Sequence, residues 1–265
     1  MNERYSIEKP KGQLLKNLLI VGILLALFIW AWSGIEFKGI MDSAKGTLTY
    51  MAQQFVKPDV TFLKDLTIDG LPYAILETLA IAFAGTFLSG LISLPFALLA
   101  SQNIVGHKVS KIGKFIITSI RVFPELILAI IFIKIVGPGA MAGVMALGFH
   151  SIGMLGKLFS EAIESMDMGP SEALDASGAR PIQKLFHAVI PEVIRELLGY
   201  TLYRFEINTR AASTLGIVGA GGIGAPLIFA IRSRNWNRVS MIMIALIITV
   251  VIVDIVSGAI RKRLR

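Results

Sequence analysis

The chain has 265 residues, of which 54% are hydrophobic and only 17% charged, against roughly 25% charged in an ordinary soluble domain. Its mean hydropathy is +0.71, and its apolar residues form runs as long as a bilayer is thick, so the composition is that of a membrane protein. The formal charge of +8 is then read as loop charge rather than a nucleic-acid footprint. The absence of cysteine excludes disulfides, thiolate metal sites and cysteine nucleophiles.

In chain order the sequence predicts an all-α polytopic bundle of about six spans. The first covers residues 14–35, whose core is uncharged. It is long, and no small-residue cleavage site follows it, so it is expected to be an uncleaved anchor. The second covers 72–100, with Glu77 as its only charge. The third (115–136) and fourth (140–158) are separated by the turn Gly137-Pro138-Gly139, the fifth runs from about 193 into the 210s, and the sixth covers 239–260. Residues 36–71 form an outer loop with room for a surface helix. Lys and Arg are concentrated in the tails and in the loops around 108–114 and 157–195, which places both termini on the cytoplasmic side. The chain thus divides into 1–71 (tail, first span, outer loop) and a core, 72–265, containing a cytoplasmic loop at 160–191. No Gly-rich loop ending in Lys-Ser/Thr is present, so ATP hydrolysis would require another chain. His107, His150 and His187 are scattered without metal-ligand spacing, and no cofactor is implied.

The loop at 160–191 carries the densest local signals. Pro170 can open a helix, because its missing N–H would be unpaired in a first turn anyway. Glu172 and Asp175 lie near the positive end of that helix, and Gly178 suits a left-handed end. Pro181 opens a second helix on which Ile182, Leu185, Phe186, Val189 and Ile190 form an apolar stripe, and Pro191 is expected to end it before span five.

This stretch resembles the cytoplasmic signature of ATP-binding-cassette importer permeases: Glu-Ala-Ala, three residues, Gly, nine residues, Ile-x-Leu-Pro. Glu172-Ala173 stands at the right distance from Gly178, and Pro191 closes the motif, with Leu174, Ala188 and Ile190 as apolar replacements. The resemblance implies a type I importer permease fold in which Glu172, Ala173, Leu174, Asp175, Gly178 and Pro191 couple the chain to its ATPase. It also implies a bacterial inner-membrane location and a homodimer with a cytoplasmic ATPase dimer and an extracytoplasmic binding protein. Lipid surrounds the complex, and nucleic acid has no part in it.

Charges inside spans are costly and need a reason. Arg121 and Glu125 are spaced i, i+4 in span three, around Pro124. Glu206 and Arg210 form an i, i+4 pair in span five, beside Arg204 and Asn208. Ion pairs that lock helices and a path for an anion both fit these residues, whereas Lys134 is expected to reach back to the interface. After Ser213 follows a run containing Gly216, Gly219, Gly221 and Gly222, suited to close packing, to a gate at a dimer axis, or to both. Together, Arg121 to Ile127, Arg204 to Arg210 and the glycine run resemble the phosphonate permeases of the importer class. That resemblance implies phosphonate or a related phosphorus oxyanion (phosphite, phosphate) as cargo, with an extracytoplasmic phosphonate-binding protein. A methionine-type amino-acid permease is the alternative within the class. An intramembrane enzyme would need clustered His or Asp ligands or an acid–base pair, and the sequence contains neither.

Overall fold

In a computed structural model the described residues are 13–33 and 37–264, and they divide into two compact units, residues 1–53 and 54–265. The first unit contains α1 (Gln13–Ser33) and most of α2 (Phe37–Phe55). From residue 16 onward the side chains of α1 are exposed all round, as in a helix that meets lipid on every side. The N-terminal tail and the start of the outer loop expected from the sequence, residues 1–12 and 34–36, lie outside the described residues.

The second unit is helical throughout, and no strand occurs among the described residues. It consists of α3 (Val60–Lys64), α4 (Leu71–Ala100), α5 (Gln102–Val122), α6 (Glu125–Val136), α7 (Ala140–Ser165), α8 (Gly169–Ala176), α9 (Pro181–Lys184), α10 (Ile190–Leu215), α11 (Gly224–Arg232) and α12 (Trp236–Leu264). A π-helical segment, Leu185–Val189, joins α9 to α10, and a 3₁₀ turn, Gly216–Val218, follows α10. Among the described residues, four helices are long and apolar enough to cross a membrane: α1, α4, α7 and α12. The bent pair α5–α6 would make a fifth. α10 has the length of a span but is too polar for that test, in keeping with its reading as the least hydrophobic one.

The core forms around the α4–α7 pair, with α5, α6 and α10 packed on its flanks. Small residues allow the two helices to approach closely. A Cβ on Gly85 would lie 3.1 Å from the Leu147 side chain and 3.3 Å from the backbone of Gly148. Three apolar clusters mark successive levels. Ala74, Ile223 and Ile242 form one, Ile81, Leu147 and Leu215 the next, and Ala97, Leu155, Phe159, Val189 and Val193 the third.

Two sequence expectations change. The third span is not one straight helix: α5 and α6 meet at 81°. Pro124 forces Phe123 into an extended conformation (φ −76°, ψ 117°), so the helix stops before it. Arg121 and Glu125 therefore do not share a helix face. Pro191 does not end a helix either, since the backbone is helical from Pro181 to Leu215. The wider π turn before Pro191 gives its ring room against the carbonyl four residues back.

Candidate functional site

The first candidate is the protruding end formed by α8 and α9. Pro170 stands in the first turn of α8, as the sequence predicts, and the Asp167 carboxylate accepts from the N–H of Gly169 at 2.9 Å. At the other end Gly178 takes φ +75°, where its own N–H donates to the Asp175 carbonyl and the N–H of Ala179 to that of Leu174. The helix is fastened at both ends, while Glu172, Ala173, Asp175 and Gly178 are exposed and Leu174 is half-buried. Lys184 reaches back to Asp175 at 2.6 Å and fixes the angle between α8 and α9. Below them Leu185 and Val189 pack on the third cluster, but Ile182 and Phe186, from the same expected stripe, are exposed. The π turn rotates these two away from the bundle. The result is a two-turn helix seated on α9 and the π segment, with acidic and apolar side chains facing outward.

The second candidate is a polar seam between α4, α7 and α10. Arg204 is 3% exposed and Asn208 fully buried. Nε of Arg204 donates to Oγ of Ser151 at 2.8 Å, and one terminal nitrogen reaches Sδ of Met154 at 3.0 Å. The Asn208 amide donates to Thr86 at 2.8 Å and to Ser151 at 3.0 Å. The other terminal nitrogen of Arg204 has no hydrogen-bond partner. An unpaired buried guanidinium N–H is expensive, so this seam retains an unused capacity to hold an anion. The Nδ1–H of His150 donates to the Phe123 carbonyl at 3.1 Å, and the ring lies within electrostatic reach of Arg121, Glu125 and Arg204. These four charged or titratable groups thus gather around the α5–α6 bend.

Glu206 and Arg210 pair at 3.2 Å, as their spacing predicts. Sequence reading missed the third member: Arg261 of α12 reaches the other Glu206 oxygen at 3.1 Å. Arg121 and Arg210 are exposed on the single chain, and Lys134 is exposed near the end of α6. Ser213 is buried, with its hydroxyl bonded to the Thr209 carbonyl of its own helix at 3.2 Å.

The third candidate is the glycine run, folded over the α6–α7 turn. Gly139 donates to the Gly219 carbonyl at 2.9 Å. Gly219, Gly221 and Gly222 all take positive φ, and a Cβ on Gly216 would lie 2.4 Å from the Gly221 carbonyl oxygen. Close packing within one chain therefore accounts for these glycines. Glu77 was read only as the lone charge of span two, yet its carboxylate accepts from the Gly222 N–H at 3.0 Å, and the Thr78 hydroxyl accepts from that of Ile223 at 2.8 Å. A carboxylate standing alone in an apolar span was the available signal.

No group of His, Asp and Glu among the described residues could hold a metal ion. A bent, small-residue-packed helical bundle with a fastened external helix between two of its long helices is the architecture of an integral-membrane transport subunit. Solved structures agree on the fold: the chain resembles the methionine transporter MetNI in an inward-facing conformation with a TM-score of 0.64 at 22% identity, covering 74% of this chain and 96% of that one. Residues 93–265 match the family model for the binding-protein-dependent transport system inner membrane component, and the chain belongs to that family. It is 42% identical to a phosphite transport system permease protein of Stutzerimonas stutzeri, over 72% of this chain and 70% of that protein. It is 39% identical to a phosphate-import permease protein of Mycolicibacterium smegmatis, over 70% of this chain and 35% of that protein.

Proposed function

We propose that the chain is the membrane-spanning permease of an ATP-driven importer and passes phosphonate, phosphite or phosphate inward across the cell membrane. The observation that carries the substrate class is the Arg204 seam, which holds a buried guanidinium with an unspent donor between α7 and α10. Oxyanions offer the acceptors that such a donor lacks. The named substrates of the two permease relatives are of this chemistry, and a probable D-methionine transport system permease protein of Pasteurella multocida is less similar, at 31% identity over 68% of this chain.

In this reading the chain works as a homodimer of about six spans per protomer, with both termini inside. α8 docks on a separate ATPase, through Glu172, Ala173, Leu174 and Asp175, with Gly178 just beyond its end and Pro191 at the start of α10. An external binding protein supplies the affinity, and Arg121, Glu125, Arg204, Glu206, Asn208, Arg210 and Ser213 border the path. The glycine run at Gly216, Gly219, Gly221 and Gly222 forms the outer closure, which the two copies share.

Uptake of labelled phosphite and methionine by cells or proteoliposomes containing the assembled complex tests the proposal. Arg204→Ala is expected to abolish phosphite uptake while the permease still co-purifies with its ATPase. Uptake of methionine but not of any phosphorus oxyanion by the unmutated complex would overturn the substrate assignment. Glu172→Lys is expected to abolish ATPase stimulation with the subunit still in the membrane, and retained stimulation would overturn the docking assignment.

A further inference from the structure

We propose that a cleft between the first half of α10 and the last turns of α12 holds the phosphate headgroup of an anionic phospholipid. The cleft measures about 670 Å³ and is bordered by Arg195, Arg261 and Lys262, together with Glu192, Glu196 and Tyr200. It lies at the end of the bundle that carries α8, because α10 continues directly from the π segment on which α8 sits.

Charge selects the occupant. Arg261 divides its guanidinium between Glu206 at 3.1 Å and the Tyr203 ring at 5.9 Å. Among the described residues, neither Arg195 nor Lys262 has an ion-pair partner. Of the two carboxylates, Glu196 accepts from the Tyr200 hydroxyl at 2.6 Å and Glu192 is exposed, so the lining carries three cations against two carboxylates. Two cations are therefore uncommitted at the mouth of a cleft, at the level where a membrane presents its headgroups. Basic clefts of this kind between spans favour anionic lipid.

The floor of the cleft supports the same occupant. Gly199 and Gly258 border it from opposite helices, and a Cβ built on either would meet nothing within 4 Å. A glycine inside a helix costs roughly 1 kcal/mol relative to alanine. The glycines at the α4–α7 contact are offset by close packing, but these two leave open space. An acidic headgroup above acyl chains fits both the charge and the room. The exposed apolar face of α12, with Ile248, Val251 and Ile255, continues the surface along which those chains would lie.

The experiment is native mass spectrometry of the full permease complex purified in detergent. It is offered phosphatidylglycerol, phosphatidylethanolamine or inorganic phosphate, and the Arg195→Gln/Lys262→Gln double variant is compared with Gly258→Leu. Phosphatidylglycerol should be retained over phosphatidylethanolamine, and neutralising both cations should weaken retention about thirtyfold, the value of two charges at a membrane surface. Gly258→Leu should weaken it while leaving every charge in place. Millimolar phosphate should not displace the lipid if the acyl chains contribute. Equal retention of the two lipids, retention unchanged in either variant, or full displacement by phosphate would overturn the proposal, the last in favour of a free-anion site. Loss of the dimer in the double variant without any lipid effect would also overturn it, in favour of a second copy as the occupant. Oxyanion uptake by the unmutated complex is a separate readout, so failure here leaves the transport assignment intact.

Discussion

Gly222→Ala tests whether the glycine run is held by α4 as the geometry requires. Gly222 sits at φ +73°, and a Cβ there would lie 2.7 Å from the Thr78 hydroxyl. The left-handed conformation alone costs a non-glycine residue about 1–2 kcal/mol. The hydroxyl cannot turn aside without loss, because it accepts the Ile223 N–H at 2.8 Å and donates to the Ala74 carbonyl at 2.7 Å. Breaking both bonds adds about 2 kcal/mol at roughly 1 kcal/mol each, for a total near 3–4 kcal/mol. For a chain of this size that corresponds to a fall of about 10 °C in Tm, measurable by thermal unfolding of the purified protein in detergent. Gly90→Ala is the control, since its Cβ would meet only Thr201 at an ordinary 3.7 Å, and it should change Tm little. In a Thr78→Ala background the clash is absent, and Gly222→Ala should cost only its backbone strain of about 1–2 kcal/mol. Full additivity of the two substitutions would refute the reasoning.

Other substitutions probe the remaining contacts. Asn208→Leu removes amide bonds to Thr86 and Ser151, and should lower stability in detergent by about 1–2 kcal/mol, the value of such bonds between spans. No change in Tm would mean that the seam does not hold α4, α7 and α10 together. Glu206 is held by Arg210 and Arg261 from opposite oxygens, so either arginine alone should be replaceable by alanine at a cost below about 1 kcal/mol, while the double replacement costs more than the sum. A double-mutant cycle in Tm reads this directly. Asp59 caps α3, and its carboxyl is held below the usual value, mainly by the Thr61 hydroxyl and then by Arg238. Its stabilisation should therefore be complete above pH 4 and disappear as the pH falls through the lowered value. Asp59→Ala should cost about 1 kcal/mol at neutral pH and flatten the acid limb of the Tm–pH curve.

What the sequence made legible was local. Pro170 and Gly178 bracket α8 because a missing N–H and a left-handed glycine act on their own turns, whatever packs nearby. Glu206 and Arg210 could be paired for the same reason, since helical spacing alone brings them together. The break at Phe123 was equally local, because a residue before proline is turned away from the helix, although the apolar run of 115–136 reads as one span through Pro124. Pro191 misled in the opposite direction, because a proline near a helix start is tolerated once a wider turn precedes it. Non-local partners were out of reach. Nothing in the neighbourhood of Glu77 indicates that Gly222 will lie beside it, and Thr86 and Ser151 gain meaning only when α4 and α7 bring them to Asn208.

Those distant partners have a common member. α4 meets the glycine run through Glu77 and Thr78, the buried seam through Thr86, and the cluster beneath α8 and α9 through Ala97. From Thr78 to Ala97 a helix rises about 28 Å, close to the thickness of a bilayer's hydrocarbon core. A single helix buried by small residues thus spans all three candidate sites, and a displacement at one end cannot be absorbed by bending a loop. In the proposed transport cycle this makes α4 the strut by which movement of the external helix would reach the outer closure. It predicts that a bulky residue at Gly85, where a Cβ already meets the Leu147 side chain at 3.1 Å, will disturb ATPase stimulation and uptake together. Loss of one with full retention of the other would mean that the two ends move independently.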